Sequence, residues 1–273
     1  MIIPKEINIG DKIGIVSTAR KISSKELFFS IEVLQSWGLE VVLGNFLFAS
    51  DNQFSGTIEQ RVVSLQNMID DDTISAILCA KGGYGTIQII DKIDFSNLHK
   101  NPKWIIGYSD ITVLHSHLNK LGFATLHATM PVNFSKNTQE SLDSLHKVLF
   151  GIENIIKSPS YFLNKPGRVK AQIVGGNLSI LYSLLGSKSD IDTDYKILFL
   201  EDLDEYLYHI DRMIINMKRN GKFNNLKGLI IGGMSKMHDN EIPFGKTVEE
   251  IIFHYLKEYN FPICFKFPSG HLD

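Results

Sequence analysis

The feature that most constrains this fold is an alternation of continuous apolar runs with amphipathic segments of helical period. In the first half of the chain the apolar runs are KIGIVST (12–18), LEVVLG (39–44), ISAILCA (74–80) and WIIGY (104–108). Strands without a polar face are typical of parallel sheets, because helices cover both sides of such a sheet. The sequence therefore predicts an α/β fold built on a parallel sheet.

The segments between these runs carry helix signals. SSKELFFSIEVLQSWG (23–38) begins with Ser and ends with Gly, and TIEQRVVSLQNMIDD (57–71) is a second amphipathic segment. ATLHA (124–128) predicts a further strand. Ligands of parallel sheets bind at the carboxyl ends of the strands. KGGYG (81–85) and GYSD (107–110) both follow strands, and we therefore expect them to border a ligand site.

The pattern changes in the middle of the chain. SPSYFLNKPGRVK (158–170) is rich in Ser, Pro and Lys, which predicts a loop or linker. Strand and helix patterns then resume, and the predicted elements are a helix over 177–185, a strand over 195–202, a helix over 205–221, a strand over 226–233 and a helix over 247–259. We therefore predict a first domain (1–155), a linker (156–170) and a second domain (171–273).

Composition excludes several classes of protein. The chain has 28 basic and 30 acidic residues, so it lacks the basic excess that indicates nucleic-acid binding. No apolar stretch reaches the ~18 residues that indicate a membrane span. Charges within the first six residues argue against a secretory signal, so we expect a cytoplasmic protein. Cys79 and Cys264 lie in apolar runs, which favours buried thiols over a disulfide framework.

Ser109 stands between a strand and a helix, and that position has two interpretations. A Ser there is most often an N-cap. The same place suits a nucleophile, because the turn exposes Oγ and the amides at a helix start favour an oxyanion. The G-x-S-x-G elbow of hydrolases is not met, since Ile111 occupies the place of the second Gly. Position alone leaves both interpretations open.

The KGGYG turn also has two interpretations. The adjacent glycines Gly82 and Gly83 allow positive φ and a close approach of the backbone to a ligand. They predict either a tight turn or a donor site in which one of their amides binds a carbonyl oxygen. No GKS or GKT follows and no GxGxxG occurs, so nucleotide binding has little support.

LFLEDLDE (198–205) places two carboxylates directly after apolar strand residues. Glu201 could orient a histidine at the cleft. Glu201 and Asp202 could equally cap the helix that follows, and the local pattern does not decide between these interpretations.

The histidines form no metal motif. His115 and His117 are two apart on a predicted helix and point in different directions. His127 follows a strand and could line the cleft, whereas His271 lies in a Gly turn after a strand, a suitable place for a base. The histidines expected at the surface or in packing are His209 and His254. No HExxH or CxxC occurs, so we predict no metal site.

Six short motifs in order resemble the LD-carboxypeptidase family of serine peptidases. They are KGGYG (81–85), GYSDIT (107–112), GGNLSIL (175–181), LFLED (198–202), YHIDRMI (208–214) and PSGH (268–271). Each is loose alone, but six in order are specific and cover essentially the whole chain. The resemblance implies an N-terminal Rossmann-like parallel-sheet domain and a smaller C-terminal β-rich domain.

The resemblance also implies catalytic roles. Ser109 matches the nucleophile, Glu201 the acidic member and His271 the base of a triad that assembles across the domain boundary. The chain order Ser, Glu, His is acceptable because triads are defined by geometry and role. The expected oxyanion donors are the amides of Asp110 and of Gly82 or Gly83. The expected substrate-binding residues are Lys81, Tyr84 and His127.

The substrate implied by the resemblance is the murein tetrapeptide L-Ala-D-Glu-meso-diaminopimelate-D-Ala, cut before its terminal D-Ala without a cofactor, by a protein that is often a homodimer. A rival is the microcin-immunity peptidase, which acts on aminoacyl-nucleotide mimics and carries a longer segment between Ser and Glu. Here Glu201 follows Ser109 by 92 positions, which favours the carboxypeptidase. A non-enzymatic ligand-binding protein would keep the glycines but would not need the Ser, Glu and His together.

Two departures from the family pattern matter. Lys81 replaces the Arg that usually precedes GGYG, which keeps the charge but loses the planar fork of a guanidinium. The sequence ends two residues after His271, whereas family members continue further. We therefore expect the last strands of the second domain to lie outside this sequence.

Overall fold

The computed structural model describes residues 1–272 and divides them into two compact units, Met1–Ile155 and a second unit that begins at Ile156. Each unit is a parallel sheet flanked by helices, so the α/β class predicted from the alternating pattern is confirmed. No helix in the described part of the chain is both long and apolar enough to cross a bilayer.

The first unit contains a five-stranded parallel sheet in the order β2-β1-β3-β4-β5. Its strands are β1 (Lys12–Val16), β2 (Glu40–Leu43), β3 (Ile74–Cys79), β4 (Trp104–Gly107) and β5 (Leu126–His127). Its helices are α1 (Ser24–Ser36), α2 (Ile58–Asp70), α3 (Thr112–Lys120) and α4 (Gln139–Leu149). The chain runs outward from β1 to β2 and then returns to β3, so the strand order reverses between β1 and β3. Ligands of doubly wound sheets bind at this kind of reversal.

Local sequence explains where the first two long helices begin. Ser23 and Thr57 each accept a hydrogen bond from the backbone of the third helical residue, and that residue's side chain bonds back, which forms a capping box at α1 and at α2. The buried side of α2 includes Leu65, Met68 and Ile69, and Arg61 lies one turn before Leu65 on the same side. An arginine therefore occupies a position that the helical period assigns to the core.

Two segments of the first unit contain helical elements to which the sequence pattern assigned no structure. TIQIIDKI, after KGGYG, forms two short 3₁₀ turns, Thr86–Gln88 and Ile90–Lys92. Helix α4 is absent from the expectations, although Thr138 followed by leucines at helical spacing is a signal for it. Thr138 caps this helix, and Leu142, Leu145 and Leu149 are its buried residues.

The second unit contains a four-stranded parallel sheet in the order β6-β7-β8-β9. Its strands are β6 (Ile173–Asn177), β7 (Ile197–Leu203), β8 (Gly228–Ser235) and β9 (Ile263–Cys264), and its helices are α5 (Leu178–Leu184), α6 (Leu207–Arg219) and α7 (Val248–Leu256). Consecutive strands are neighbours, so right-handed crossovers place all three helices on one face. Leu198 and Leu200 of β7 pack with Ile210, Met213 and other helix residues in this core.

Residues 156–170 contain no helix or strand and belong to the second unit. Lys165 forms a bridge with Ile263 of β9, through hydrogen bonds of 3.0 Å in both directions. Tyr161 and Leu163 pack against the core of the unit. The segment predicted as a linker is therefore held against the sheet that follows it.

Candidate active site

Ser109 has a backbone conformation that few residues other than glycine adopt. Its φ is 62°, and it begins a 3₁₀ turn, Ser109–Ile111, that is separated from β4 by the single residue Tyr108. Neither this turn nor α3, which follows it, begins with a side-chain cap. The N-cap interpretation of Ser109 is therefore wrong. A left-handed non-glycine residue costs on the order of 1–3 kcal/mol and is enriched at active sites, where the rest of the fold maintains it.

The residues around Ser109 explain how the turn departs from G-x-S-x-G. A Cβ added to Gly107 would lie 2.8 Å from the side chain of Ile111, so the isoleucine packs directly on the strand glycine. The strand, the sharp turn and the helix of a nucleophile elbow are all present, although the second glycine is not. The strand and the turn after it pack closely because Gly107 has no side chain and Ile111 covers it.

The KGGYG turn lies against Ser109. A Cβ added to Gly82 would lie 3.2 Å from the Ser109 Cβ and 3.4 Å from its Oγ. The turn follows β3, which pairs with β4 directly, so the carboxyl ends of these two strands bring the glycines and the serine together. The backbone of Gly82 is thus close to the hydroxyl, as a donor to a reacting carbonyl would need to be.

Asp110 fixes the turn through its side chain, a role that the sequence analysis did not foresee. Its carboxylate accepts a 2.9 Å hydrogen bond from the amide of Thr86, the first residue after KGGYG. The residue is 1% exposed. Burial raises the pKa of the Asp110 carboxyl, while the Thr86 hydrogen bonds and the charge of Arg61 act in the opposite direction. The aspartate therefore ties the serine turn to the glycine turn from inside the protein.

Arg61 braces the glycine turn from the other side and ties it to the segment that follows β1. Its Nη1 donates to the carbonyls of Thr18, at 3.0 Å, and Gly85, at 2.9 Å, while Nη2 donates to Gln88 at 2.7 Å. Its guanidinium lies 4.9 Å from the centre of the Phe54 ring. Burial lowers the pKa of Arg61, and the nearby Asp110 opposes this shift. A charged residue on the apolar side of α2 was the sequence signal that could have identified this brace.

Two of the predicted substrate-binding residues flank the glycines. Lys81 forms a 3.0 Å ion pair with Glu26, so its charge is partly neutralised within the protein. The Ser23 amide, together with Lys81, lowers the pKa of Glu26 to about 2. Tyr84 is 46% exposed and its ring lies 6.1 Å from that of Phe54.

His127, the third predicted substrate-binding residue, ends β5 and pairs with Gly107 of β4. Its ring lies 6.0 Å from that of Tyr108 and 6.0 Å from that of His115. His115 is buried with Nε2 2.8 Å from the Gly107 carbonyl, and burial lowers the pKa of its imidazole to about 3. His127 therefore occupies the strand end next to the one that carries Ser109.

In the second unit Glu201 and His271 form a hydrogen-bonded pair. The Nδ1 of His271 lies 2.6 Å from Oε2 of Glu201, and the His271 amide donates to the same oxygen at 3.0 Å. Glu201 is fully buried and the His271 side chain is 14% exposed. A carboxylate facing Nδ1 places the proton on Nδ1 and leaves Nε2 as the basic nitrogen. The structure thus brings together two residues that are 70 positions apart in sequence.

A β-bulge and a glycine allow this pair to form. Between Leu200 and Asp202 the pairing advances by two residues on β7 and by three on β8, so the extra residue of the bulge is on β8, opposite Glu201. Bulges beside active sites redirect a side chain. Gly270 has φ +99°, and a Cβ there would lie 2.6 Å from the Cβ of Glu201. Only glycine lets the chain before His271 approach the glutamate so closely.

Asp202 has a different partner set from its neighbour. Its carboxylate accepts hydrogen bonds from the amide of Ser179 at 2.8 Å, from the side chain of Asn177 at 2.9 Å and from the amide of Leu203 at 2.9 Å. Ser179 is in the first turn of α5. Neither Glu201 nor Asp202 caps α6, which begins without a side-chain cap. The interpretation that they cap the following helix is therefore wrong.

Three further groups singled out by the sequence take no part in these clusters. His209 pairs with Glu205 through Nδ1 at 2.5 Å, and His254 is exposed on α7. Burial raises the pKa of the Cys79 thiol to about 12, which makes it a poor nucleophile. Among residues 1–272, no three His, Cys, Asp or Glu side chains are grouped as a metal site would require.

An α/β fold, a strained serine after a parallel strand and a buried glutamate bonded to a histidine define a class, the serine hydrolases. Comparison with known protein families identifies the chain more narrowly than this class. The LD-carboxypeptidase N-terminal domain matches residues 13–128 and the LD-carboxypeptidase C-terminal domain matches residues 170–273. The chain therefore belongs to the LD-carboxypeptidase family and is a serine-type carboxypeptidase, as the six motifs predicted.

Individual relatives agree with this assignment. A probable murein peptide carboxypeptidase of Bacillus subtilis is 33% identical, over 98% of this chain and 86% of its own. A murein tetrapeptide carboxypeptidase of Pseudomonas aeruginosa is 27% identical, over 96% of this chain and 89% of its own.

Solved structures confirm the fold. Muramoyltetrapeptide carboxypeptidase from Oxalobacter formigenes superposes with a TM-score of 0.87 at 24% identity, over 96% of this chain and 89% of its own. The microcin C7 self-immunity protein MccF, in complex with aspartyl sulfamoyl adenosine, superposes with a TM-score of 0.84 at 21% identity, over 98% of this chain and 90% of its own.

Proposed function

We propose that this carboxypeptidase releases the terminal D-Ala from murein tetrapeptide by an acyl-enzyme mechanism in which Ser109, His271 and Glu201 are the catalytic residues. The observation that carries the proposal is the 2.6 Å hydrogen bond between Glu201 and His271, which leaves Nε2 of the imidazole as a base. The substrate is inferred from the carboxypeptidases of murein peptides among the relatives.

The first half of the reaction forms an ester on Ser109. Nε2 of His271 takes the hydroxyl proton as Oγ attacks the carbonyl carbon of the residue before D-Ala. Glu201 holds the imidazole in the required tautomer and stabilises the imidazolium. The amide of Asp110 and that of Gly82 or Gly83 bind the developing oxyanion, and one such donor contributes about 3 kcal/mol to transition-state stabilisation.

The second half regenerates the enzyme. His271 returns its proton to the nitrogen of the leaving D-Ala as the carbon–nitrogen bond breaks. Water then gives a proton to Nε2 and attacks the ester carbon, and the shortened peptide leaves with a new carboxylate as Ser109 recovers its proton. These steps use only groups of the protein and water. Lys81, Tyr84 and His127 are proposed to contact the peptide.

The left-handed conformation of Ser109 supports its assignment as the nucleophile, because the protein maintains strain at a residue that caps no helix. Ser109→Ala is expected to fold with an unchanged melting temperature and to lose nearly all release of D-Ala. Ser116→Ala, a buried serine on α3, is the matched control and should retain turnover. Wild-type turnover by Ser109→Ala would refute the proposal.

A substrate panel tests the specificity. We expect faster cleavage of the tetrapeptide than of an aminoacyl-sulfamoyl nucleotide of the kind bound by MccF. The opposite order would assign the chain to the immunity type. The cytoplasmic location and the homodimer expected from the sequence stay predictions.

A further inference from the structure

Arg20 lies at the point where the strand order of the first sheet reverses. It follows β1, whose neighbour β3 leads into KGGYG. Its backbone is held in place, because its carbonyl accepts a 2.7 Å hydrogen bond from the Ser17 hydroxyl and the residue forms a bridge with Phe54. A side chain anchored at this reversal lies where ligands of doubly wound sheets bind.

The Arg20 side chain runs across the glycine turn. A Cβ added to Gly83, whose φ is +106°, would lie 2.6 Å from both Cδ and Nε of Arg20. Only a residue without a side chain leaves this space for the arginine. On its other side the same turn meets Ser109, since a Cβ on Gly82 would lie 3.4 Å from Oγ.

These contacts bound the distance from the guanidinium to the nucleophile. Adjacent Cα atoms are about 3.8 Å apart, so Nε of Arg20 and Oγ of Ser109 lie within about 13 Å of each other. A carboxylate one residue beyond a bond attacked by Ser109 fits this interval, because a single residue spans about 3.8 Å and the guanidinium extends past Nε.

The charges at this edge single out Arg20. Lys81 is paired with Glu26 at 3.0 Å. Arg61 is 1% exposed and its guanidinium donates to two carbonyls and a glutamine. Arg20 is exposed, and no carboxylate in the described part of the chain lies within ion-pair distance of its guanidinium. Its charge is therefore available for a ligand.

We propose that Arg20 binds the C-terminal carboxylate of the peptide substrate and so makes the enzyme an exopeptidase, an inference that rests on the proposed function. A guanidinium presents two parallel N–H donors that match a carboxylate, which an ammonium does not. Arg20 would thus supply the fork that Lys81 lacks, from a different strand end.

The test compares tetrapeptide carrying a free C-terminal carboxylate with the same peptide amidated at its C-terminus. Binding is measured by calorimetry with Ser109→Ala, so that the peptide stays intact, and with Ser109→Ala combined with Arg20→Gln. The first protein should bind the acid about ten- to a hundredfold more tightly than the amide. Arg20→Gln should remove that preference and leave affinity for the amide unchanged, and Arg20→Lys should restore part of it.

Lys21→Gln in the Ser109→Ala background is the control, because it removes a neighbouring exposed charge and should keep the preference. Equal loss of acid and amide binding in Arg20→Gln would mean that the side chain only supports the loop, and would overturn the proposal. An unchanged preference would overturn it as well. Separately, a wild-type enzyme that shows the Arg20-dependent preference but releases no D-Ala would refute the proposed function and leave the Arg20 assignment standing.

Discussion

Two strand ends carry the same pattern, a residue with a proposed chemical role followed by a buried aspartate. At the end of β4 the pair is Ser109 and Asp110, and in β7 it is Glu201 and Asp202. Each aspartate accepts a hydrogen bond from a backbone amide of another segment, at 2.9 Å in the first unit and at 2.8 Å in the second. In both units the aspartate fixes the backbone that presents its neighbour.

The two presented residues differ in backbone and in exposure. Ser109 is partly exposed with φ 62°, whereas Glu201 is fully buried opposite a β-bulge of β8. A nucleophile must meet a substrate, which favours a sharp turn at the end of a strand. An acid that stabilises an imidazolium acts best away from water, where electrostatic interactions are stronger. The backbone irregularity at each site matches the role that we propose.

The two aspartates differ in their electrostatic surroundings. Arg61 partly offsets the effect of burial on Asp110. Asp202 has Glu201 beside it instead, and burial is the main cause that raises the pKa of Asp202 to about 7, despite three hydrogen-bond donors. Similar hydrogen bonds therefore hold one carboxylate beside a cation and another beside a second carboxylate. Mutations test whether the aspartates position the backbone while Ser109 and Glu201 carry out the chemistry, as we infer.

The largest effect is expected from Glu201→Gln. The glutamine keeps the shape but removes the charge that stabilises the imidazolium, and its NH₂ favours the wrong tautomer of His271. Turnover should fall by about 10⁴-fold, by analogy with triad Asp→Asn changes. Release of D-Ala is the measurement, with the melting temperature as a check on folding. Turnover within tenfold of wild type would remove Glu201 from the mechanism.

Gly270→Ala should give the next largest effect. The new Cβ would lie 2.6 Å from the Cβ of Glu201 and 2.7 Å from its Oε2, so the Glu201–His271 hydrogen bond must distort. We expect turnover to fall by roughly 100-fold, since small misplacements of catalytic groups cost rates of this order.

Gly186→Ala is the matched control for this change. Gly186 also has positive φ, at +78°, but no atom lies within 4 Å of an added Cβ. Both variants carry the backbone cost of alanine at positive φ, and only Gly270→Ala disturbs the pair. Equal turnover of the two variants would show that the approach of Gly270 to Glu201 is unimportant for the reaction.

The strands and the family could be predicted from the sequence, and the candidate residues at the strand ends could be selected from it, because each depends on local pattern. Continuous apolar runs identify parallel strands. A polar residue directly after such a run is placed at a sheet edge whatever the rest of the fold does. This is why Glu201 and the glycines of KGGYG could be selected before the structure was known.

The bracing contacts could not be predicted in the same way. The bond from Thr86 to Asp110 and those from Arg61 to two carbonyls depend on how three strand ends meet. The conformation of Ser109 follows from the same packing, so the more frequent N-cap interpretation was a poor guide. The bulge at Glu201 is set by pairing with β8, about which the LFLED motif contains no information.

Arg61→Lys is expected to have a moderate effect. Lysine keeps the charge but has a single nitrogen, so it cannot make both the Nη1 bonds to the carbonyls of Thr18 and Gly85 and the Nη2 bond to Gln88. Because these bonds fix the glycine turn, kcat should fall by about tenfold and the melting temperature should drop. Arg219→Lys, an exposed arginine at the end of α6, is the control and should change neither. A lower melting temperature with unchanged kcat would show that Arg61 supports the fold and not the proposed oxyanion donors.

The smallest effect on turnover is expected from Asp202→Asn. Its three hydrogen bonds are to the backbone and to Asn177, so the change should cost about 1–3 kcal/mol of stability at low pH and alter turnover less than tenfold. If Asp202→Asn loses turnover and Glu201→Gln does not, the catalytic acid is Asp202 and not Glu201.

The pH dependence of stability sharpens this last comparison. The pKa of Asp202 is raised to about 7 in the folded protein, against about 3.9 in an unfolded chain. A group with a raised folded pKa binds its proton more tightly in the native state, so its stabilisation is complete below about pH 4 and is lost as the pH rises through 7. Asparagine does not titrate.

The melting temperature of wild type should therefore fall relative to that of Asp202→Asn between pH 5 and pH 8, whereas Asp194→Asn, at an exposed position, should follow wild type. Parallel curves for wild type and Asp202→Asn would mean that the three donors keep Asp202 ionised, and the contrast with Asp110 would then disappear.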